Sequence, residues 1–333
     1  MLDLVSKRYL FFLLSAIVIL PGVISMLLPG GFHPGIDFTA GSIMTLRFAN
    51  DVDQADLREA FADLGHPEAI VQRSDTDYLV RTYPLADDQR DEQGNIIQSE
   101  RRDIQIALCQ RYRVGDDPCD GRSTQSVEVL GYDSVSPIVA SEIVQKSILA
   151  VLAACVGILA YLSWAFRKVK SPWRYGVCAV GALAHDALLV LGVFSILGRL
   201  LGIELDALFI TAVLTVIGFS VHDTIVVFDR IRENLQRYPG EQFETVVNHS
   251  LTQTLGRSLN TSITVLLTLV TLMLFGGVTV RTFILALLVG ITAGTYSSIF
   301  NASMLLVVWE NGEIRRLFGR GPKRSAPAAA PAA

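Results

Sequence analysis

Between residues 9 and 309 the chain repeats one pattern: long apolar runs separated by short polar stretches, with a single large polar block near the start. Six runs carry the ~20 apolar residues that a bilayer crossing requires, at 9–28, 143–166, 175–197, 207–229, 255–276 and 282–309. Each is long enough to be a membrane-spanning helix. The polar block, residues 41–137, has shorter periods. "GSIMTLRF" has the branched, alternating content of a strand, and "DVDQADLREAFADLG" reads as an amphipathic helix stopped at Gly65. "EAIVQRSDTDYLVRTY" supplies one or two further strands, and the polar stretch 85–102 reads as an exposed loop. "RRDIQIALCQRYR" is a second helix and "QSVEVLGYDSV" a last strand. The order β-α-β-β-α-β predicts a ferredoxin-like unit. The expected fold is therefore a polytopic α-helical membrane protein of six transmembrane helices, with this small α+β extracytoplasmic domain between helices 1 and 2.

Composition agrees. Of 333 residues 51% are hydrophobic and 18% charged, against about 25% charged in soluble domains. The formal net charge of −4 averages two unlike environments, so its size says little about partners. The basic residues sit in short clusters beside the apolar runs, which argues against nucleic acid as a partner. Those clusters orient the chain instead. Lys7 with Arg8, "RKVKSPWR" at 167–174, "DRIRENLQR" at 229–237 and the basic stretch 315–324 all fall on one side of a six-span bundle. Positive charge marks that side as cytoplasmic, with both termini on it. The first run exceeds the ~7–15 residues of a signal-peptide core, and "VISMLLPGG" is a poor cleavage site, so an uncleaved anchor is expected. The expected organisation is residues 1–29 for the N-terminus and first span, 30–142 for the α+β domain, 143–311 for spans two to six, and 312–333 for a disordered tail ending "SAPAAAPAA".

Cys155 and Cys178 lie in spans and read as small packing residues. Cys109 and Cys119 share the outer domain, where an oxidising milieu permits a disulfide; bonded and free forms both stay open. No His or Cys ligands accompany them, so no metal site is expected. No nucleophile–base pair or phosphate loop is present either. The chain is not expected to be an enzyme or to hold a cofactor.

The chemistry lies within the membrane. In "VIGFSVHDTIVVFDRIREN" the carboxylate of Asp223 lies about 24 Å along its helix from Ala207, at about 1.5 Å per residue. Arg257, in the antiparallel fifth span, lies about 28 Å inward from Gly276 by the same rise. An acid and a base at similar depth can pair. A lone charge there costs ~2.5–3.5 kcal/mol and usually faces a partner or a wet cavity. Three readings stand: an ion-responsive pair, a static ion pair that locks the two helices, or an Arg257 that snorkels to the headgroups and leaves Asp223 alone. Polar neighbours are concentrated around both residues. Ser220, His222 and Thr224 flank the acid, and Asn260 and Thr261 follow the base. Such hydroxyls line a hydrated path for a proton or cation, or simply bond backbone. In "ALAHDALLVLG" of span three, His185 and Asp186 sit near mid-depth, as a structural hydrogen-bonding pair or as relay members. Gly290, Gly294 and Ser298, at four-residue spacing in span six, read as a packing stripe.

These motifs resemble the SecF family, one half of the SecDF accessory complex of bacterial protein export. "GIDFTAGS" is similar to the family's stretch after span one, and "LAHDALLVLG" to its span-three motif. "VIGFSVHDTIVVFDRIREN" resembles its most diagnostic segment, and "SLTQTLGRSLNTSIT" with "LMLFGG" its fifth span. The resemblance implies a resistance-nodulation-division type of bundle in the bacterial cytoplasmic (inner) membrane. It implies pairing with SecD, association with the SecYEG channel and often YidC, and contact with preprotein on the outer side. It also implies coupling of export to a proton or sodium gradient. By position Asp223 is the family's intramembrane acid and Arg257 its basic partner, a further acid coming from SecD. Two departures stand out. His222 replaces the common Asn, bringing an imidazole, a group that exchanges protons near neutral pH. Ala40 replaces a glycine of the family's "DFxGG" turn. The competing expectations are half of a small-molecule or lipid exporter of the same superfamily, and a purely structural subunit.

Overall fold

The computed structural model describes residues 3–313 except 75, 87–88, 91–95, 121–124, 168, 170 and 278–279. The expected disordered tail lies almost wholly outside the described residues. Two compact units emerge, Pro34–Ile148 and the remainder, Met1–His33 with Leu149–Ala333. The first unit therefore ends within a helix rather than before it. That helix starts at Pro137, ahead of its apolar run, because helical hydrogen bonding does not require apolar side chains.

After helix α1 (Arg8–Leu27) the α/β unit begins with a short turn of helix, α2 (Ile36–Thr39), and strand β1 (Gly41–Phe48). Ser42, Met44, Leu46 and Phe48 alternate inward along β1, the period of two that the sequence predicts. Asp53 then accepts the Ala55 N–H to start α3 (Gln54–Asp63), and Gly65, at φ +96°, takes the left-handed turn that ends it. Strands β2 (Ile70–Ser74) and β3 (Asp77–Thr82) pair as a hairpin. Ser99 accepts from the Arg102 N–H to cap α4 (Glu100–Arg111). The last strand, here β6 (Val127–Val135), returns beside β1 with an irregularity at Thr45/Leu46. The sheet order is β2-β3-β1-β6 with every pair antiparallel, the split β-α-β arrangement of a ferredoxin-like fold. Leu46, Leu57, Phe61, Tyr78 and Leu108 fill its core. The stretch 85–102 departs from a plain loop: it holds a small hairpin, β4 (Gln89–Arg90) with β5 (Ile96–Gln98), and the start of α4. Cys109 and Cys119 form a disulfide, so of the two states left open the bonded one holds.

The turn before β1 carries visible strain. Ala40 has φ +62° and ψ 160°, a region essentially reserved for glycine, where other residues pay about 1–3 kcal/mol. Gly41 follows at φ +143°, and a Cβ there would lie 2.8 Å from the Thr82 carbonyl oxygen. Ala40→Gly should therefore stabilise this unit, by about 1 kcal/mol or more after the extra chain entropy of glycine is subtracted. Thermal unfolding of the detergent-solubilised chain, followed by near-ultraviolet circular dichroism, checks this. A midpoint that does not rise sinks it.

The second unit holds the apolar helices. With α1 these are α5 (Pro137–Ala165), α6 (Trp173–Leu201), α7 (Ala207–Arg237), α8 (Phe243–Phe275) and a composite sixth. That sixth span consists of α9 (Arg281–Tyr296), a π-helical turn (Ser297–Ala302) and α10 (Ser303–Glu310). All six are long and apolar enough to cross a membrane. Helices α7 and α8 run past the apolar segments, because "DRIRENLQR" and its partner stretch form an amphipathic helical extension outside them. Burial sorts the spans. About half of the most apolar window is buried in α6, α7 and the sixth span (44%, 50% and 61%), against 6% in α5. Those three make the centre, and close glycine contacts hold them there. A Cβ on Gly290 would sit 2.2 Å from Val216 Cγ2, and one on Gly294 would sit 3.1 Å from Ser220 Cβ.

Candidate functional site

At the centre of the helical unit are two buried carboxylates, Asp223 on α7 and Asp186 on α6, at 5% and 0% exposure. Neither depends on a cation for its partners. Asp223 accepts O–H bonds from Ser258 of α8 at 2.7 Å and from Ser298 of the π-helical turn at 3.0 Å. Asp186 Oδ2 accepts from Ser220 of α7 at 2.6 Å and from Ser297 at 2.7 Å, while His185 Nδ1 lies 3.0 Å from its Oδ1. A buried charge is tolerable when hydrogen bonds replace its hydration, and hydrogen bonds to an ionised acceptor are roughly twice as strong as neutral ones. Four serines do that here. The seam continues beyond Asp223, where Thr295 donates to Ser262 at 2.6 Å.

The helical period explains which residues reach this seam. Thr254, Ser258 and Ser262 recur every fourth residue and form the buried face of α8. Arg257 precedes Ser258 by one residue, about 100° around the helix, and is exposed on the other side. It lines a groove of about 460 Å³ with Ile225, Val226, Asp229, Glu233 and Gln253. Among the described residues it forms no ion pair, and the expected pairing with Asp223 is absent. Equal depth was the wrong criterion, because rotation about the helix axis decides which side chain faces the acid. His222 lies on the same outward side of α7 and is exposed, as are Asn260 and Thr261 on α8. Thr261 donates to the Arg257 carbonyl, and Thr224, which is buried, donates to the Ser220 carbonyl at 3.0 Å.

Of the residues picked out from sequence, the fold thus gathers Asp223, Asp186, His185, Ser220 and Thr224 inside, and leaves Arg257, His222, Asn260 and Thr261 outside. Sequence reasoning missed Ser258 and Ser297 and assigned Ser298 only to packing. The four-residue hydroxyl stripe on α8 was the available signal for the first. Beside Asp186, His185 Nε2 is buried without a hydrogen-bond partner. It borders a mostly apolar crevice of about 520 Å³ between α1, α6 and α9, whose polar lining is Ser15, His185, Thr292 and Tyr296. Among the described residues, the cluster close enough to hold a metal is Cys109, Asp117 and Cys119. Its sulfurs are joined in the disulfide, and Asp117 accepts from the Cys119 and Ser126 N–H groups.

Known proteins are similar to this chain over nearly its whole length. The family described as "Protein export membrane protein SecD/SecF, C-terminal" matches residues 120–312, and "SecD/SecF GG Motif" matches 30–52. The protein translocase subunit SecF of Thermobaculum terrenum is 48% identical, over 96% of this chain and 98% of its own. That of Anaerolinea thermophila is 42% identical, over 97% and 99%. A crystal structure of SecDF, a translocon-associated membrane protein from Thermus thermophilus, superposes with a TM-score of 0.74 at 32% identity. It is matched over 93% of this chain, which spans 39% of the longer SecDF chain. These names favour the protein-translocase expectation and leave the small-molecule or lipid exporter without support.

Proposed function

The chain belongs to the SecF family of protein translocase subunits, and from that premise we propose that it draws on an ion gradient, through Asp223, to promote the late stages of preprotein export. As a SecF subunit it is a membrane transport component acting with SecD in the Sec translocase. The reading places it in the bacterial cytoplasmic membrane with both basic termini inside and the α/β unit outside, where it meets preprotein. SecYEG and, in some assemblies, YidC are the further partners it calls for. The outward residues Arg257, His222, Asn260 and Thr261 then face SecD and the acid that it supplies.

One observation carries the coupling: Asp223 is a buried acid whose hydroxyl donors come from two other helical segments, Ser258 on α8 and Ser298 on the sixth span. Adding a proton removes the charge that strengthens both bonds. The grip of α7 on its two neighbours loosens, and a second packing of the helices gains population. Sodium acts in the same place if it binds the carboxylate and takes the serine hydroxyl oxygens as ligands in place of their hydrogen bonds to it. Asp186, His185, Ser220 and Thr224 extend the relay through the bundle. Movement of the spans passes to the α/β unit through its two covalent junctions.

Proteoliposomes holding this chain with SecD test the reading. Under an imposed membrane potential the internal pH should change, or sodium should enter, and Asp223→Asn should abolish the flux. Flux of equal size in the variant removes Asp223 from the path. Full export activity with neutral replacements at both Asp223 and Arg257 would instead mark a purely structural subunit.

A further inference from the structure

We infer that Ser297 and Ser298 act as positioning residues that couple Asp186 to Asp223, and that the π-helical turn they begin is the moving part of the sixth span. The inference rests on the reading of Asp223 as the group that changes charge. Its basis is a closed ring of contacts. Ser298 binds Asp223, and its chain neighbour Ser297 binds Asp186 Oδ2. That same oxygen accepts from Ser220, which sits on α7 one turn before Asp223. Two helices and one turn thus share two carboxylates through hydroxyls that are all buried. Neutralising Asp223 weakens the hold on Ser298, and Ser297 cannot stay fixed while the adjacent residue moves. Asp186 then keeps Ser220 and loses part of its second donor.

The turn itself is built for such a shift. π-Helical turns hold one more residue than the α-helix they interrupt and occur frequently at functional sites. Passing back to α geometry displaces the following residues by about 1.5 Å and 100°. A second observation says where the turn would go. Ser303, the first residue beyond it, is fully buried and its hydroxyl has no hydrogen-bond partner. Elsewhere in these spans buried Thr224, Thr254 and Thr295 each donate to the carbonyl four residues back. For Ser303 that carbonyl belongs to Ile299, within the π-helical turn. An α-helical turn would bring Ile299 O into reach and satisfy the hydroxyl. The structure therefore holds a buried donor that the α register would satisfy, while the two serine–carboxylate bonds favour the π register.

Few other titratable groups face this ring. His185 on α6 adjoins Asp186, and the Tyr296 ring of α9 lies 6.3 Å from that imidazole. From α7 and α8, His222 and Arg257 are turned outward, and α1 contributes Ser15, bonded to Asn301.

Infrared difference spectroscopy of the chain with SecD in proteoliposomes, recorded across a pH jump, tests the inference. Carboxyl bands are assigned by Asp186→Asn and Asp223→Asn, and the Ile299 carbonyl is isotope-labelled. Asp223→Asn should displace the Asp186 band, and in the unaltered protein protonation should shift the Ile299 carbonyl band as it gains the Ser303 hydrogen bond. Ser298→Ala should abolish the Asp186 response, and Ser298→Thr, which keeps a hydroxyl, should restore it. A response of full size in Ser298→Ala overturns the coupling, and an Ile299 band that ignores pH overturns the register change. If Ser298→Ala fails to assemble, the labelled unaltered protein still decides. Because these bands are read without ion flux or export, loss of the transport reading and loss of this inference remain separate outcomes.

Discussion

An Asp223→Asn chain is expected to fold and insert, yet to lose gradient-stimulated export by tens-fold. One elementary charge crossing 100 mV supplies ~2.3 kcal/mol, and about 1.4 kcal/mol is a factor of ten, so the available bias is roughly fifty-fold. An amide carries no charge and takes no proton, and the whole bias disappears with it. The fold survives because the asparagine oxygen still accepts one of the two serine hydroxyls, and Ser298 has a second acceptor in the Thr295 carbonyl at 3.2 Å. Removing one charge-assisted bond costs about 1.5–3 kcal/mol, partly offset by no longer burying an ion. Inverted membrane vesicles with an imposed gradient provide the measurement, with the ATP-driven stage followed separately on the same preprotein. Stimulation retained in the variant would contradict the role assigned to Asp223.

Gly192→Leu should have the largest effect on stability. Spans α1 and α6 run in the same direction and touch at Gly22 and Gly192. A Cβ on Gly192 would lie 2.8 Å from Gly22 Cα, and one on Gly22 would lie 2.6 Å from Gly192 Cα. Backbone cannot rotate away as a side chain can, so the helices must separate. Two further ties are then lost. Ser25 and Ser195 are hydrogen-bonded at 2.8 Å, and Arg199 donates to the Ser25, Leu28 and Pro29 carbonyls at the end of α1. Overpacking alone costs about 1–3 kcal/mol, and the lost polar contacts bring the expectation to about 4 kcal/mol. Gly218→Ala is the control, since a Cβ there meets nothing within 4 Å. Unfolding in mixed micelles should separate the two variants clearly. Equal stabilities would mean that the contact at Gly22 is not tight.

The span count, the β-α-β-β-α-β order and the buried acid are legible in the sequence because each follows from a property local to the chain. Apolar length marks a bilayer crossing, alternation marks a half-buried strand, and a lone Asp amid apolar residues is conspicuous. The strain at Ala40 was foreshadowed only as a missing glycine; its positive φ had to be seen. The small hairpin in 85–102 escaped notice because two- and three-residue strands carry too few positions to show a period.

What remained undecided was rotational. Arg257 and Ser258 are adjacent in sequence and nearly equal in depth, and hydropathy cannot say which one looks at Asp223. Tertiary packing gives that place to the serine, because the stripe of Thr254, Ser258 and Ser262 lets α8 lie close to α7 and a guanidinium would not fit there. The register of the sixth span is settled in the same way. Nothing local to "GTYSSIFNAS" asks for a π-helical turn, and two carboxylates on different helices, far apart along the chain, reward the geometry that brings neighbouring hydroxyls to both. Composition and periodicity alone placed the acid within the membrane; the assembled helices alone determine which groups hold it, since those groups come from segments that meet only when the chain is folded.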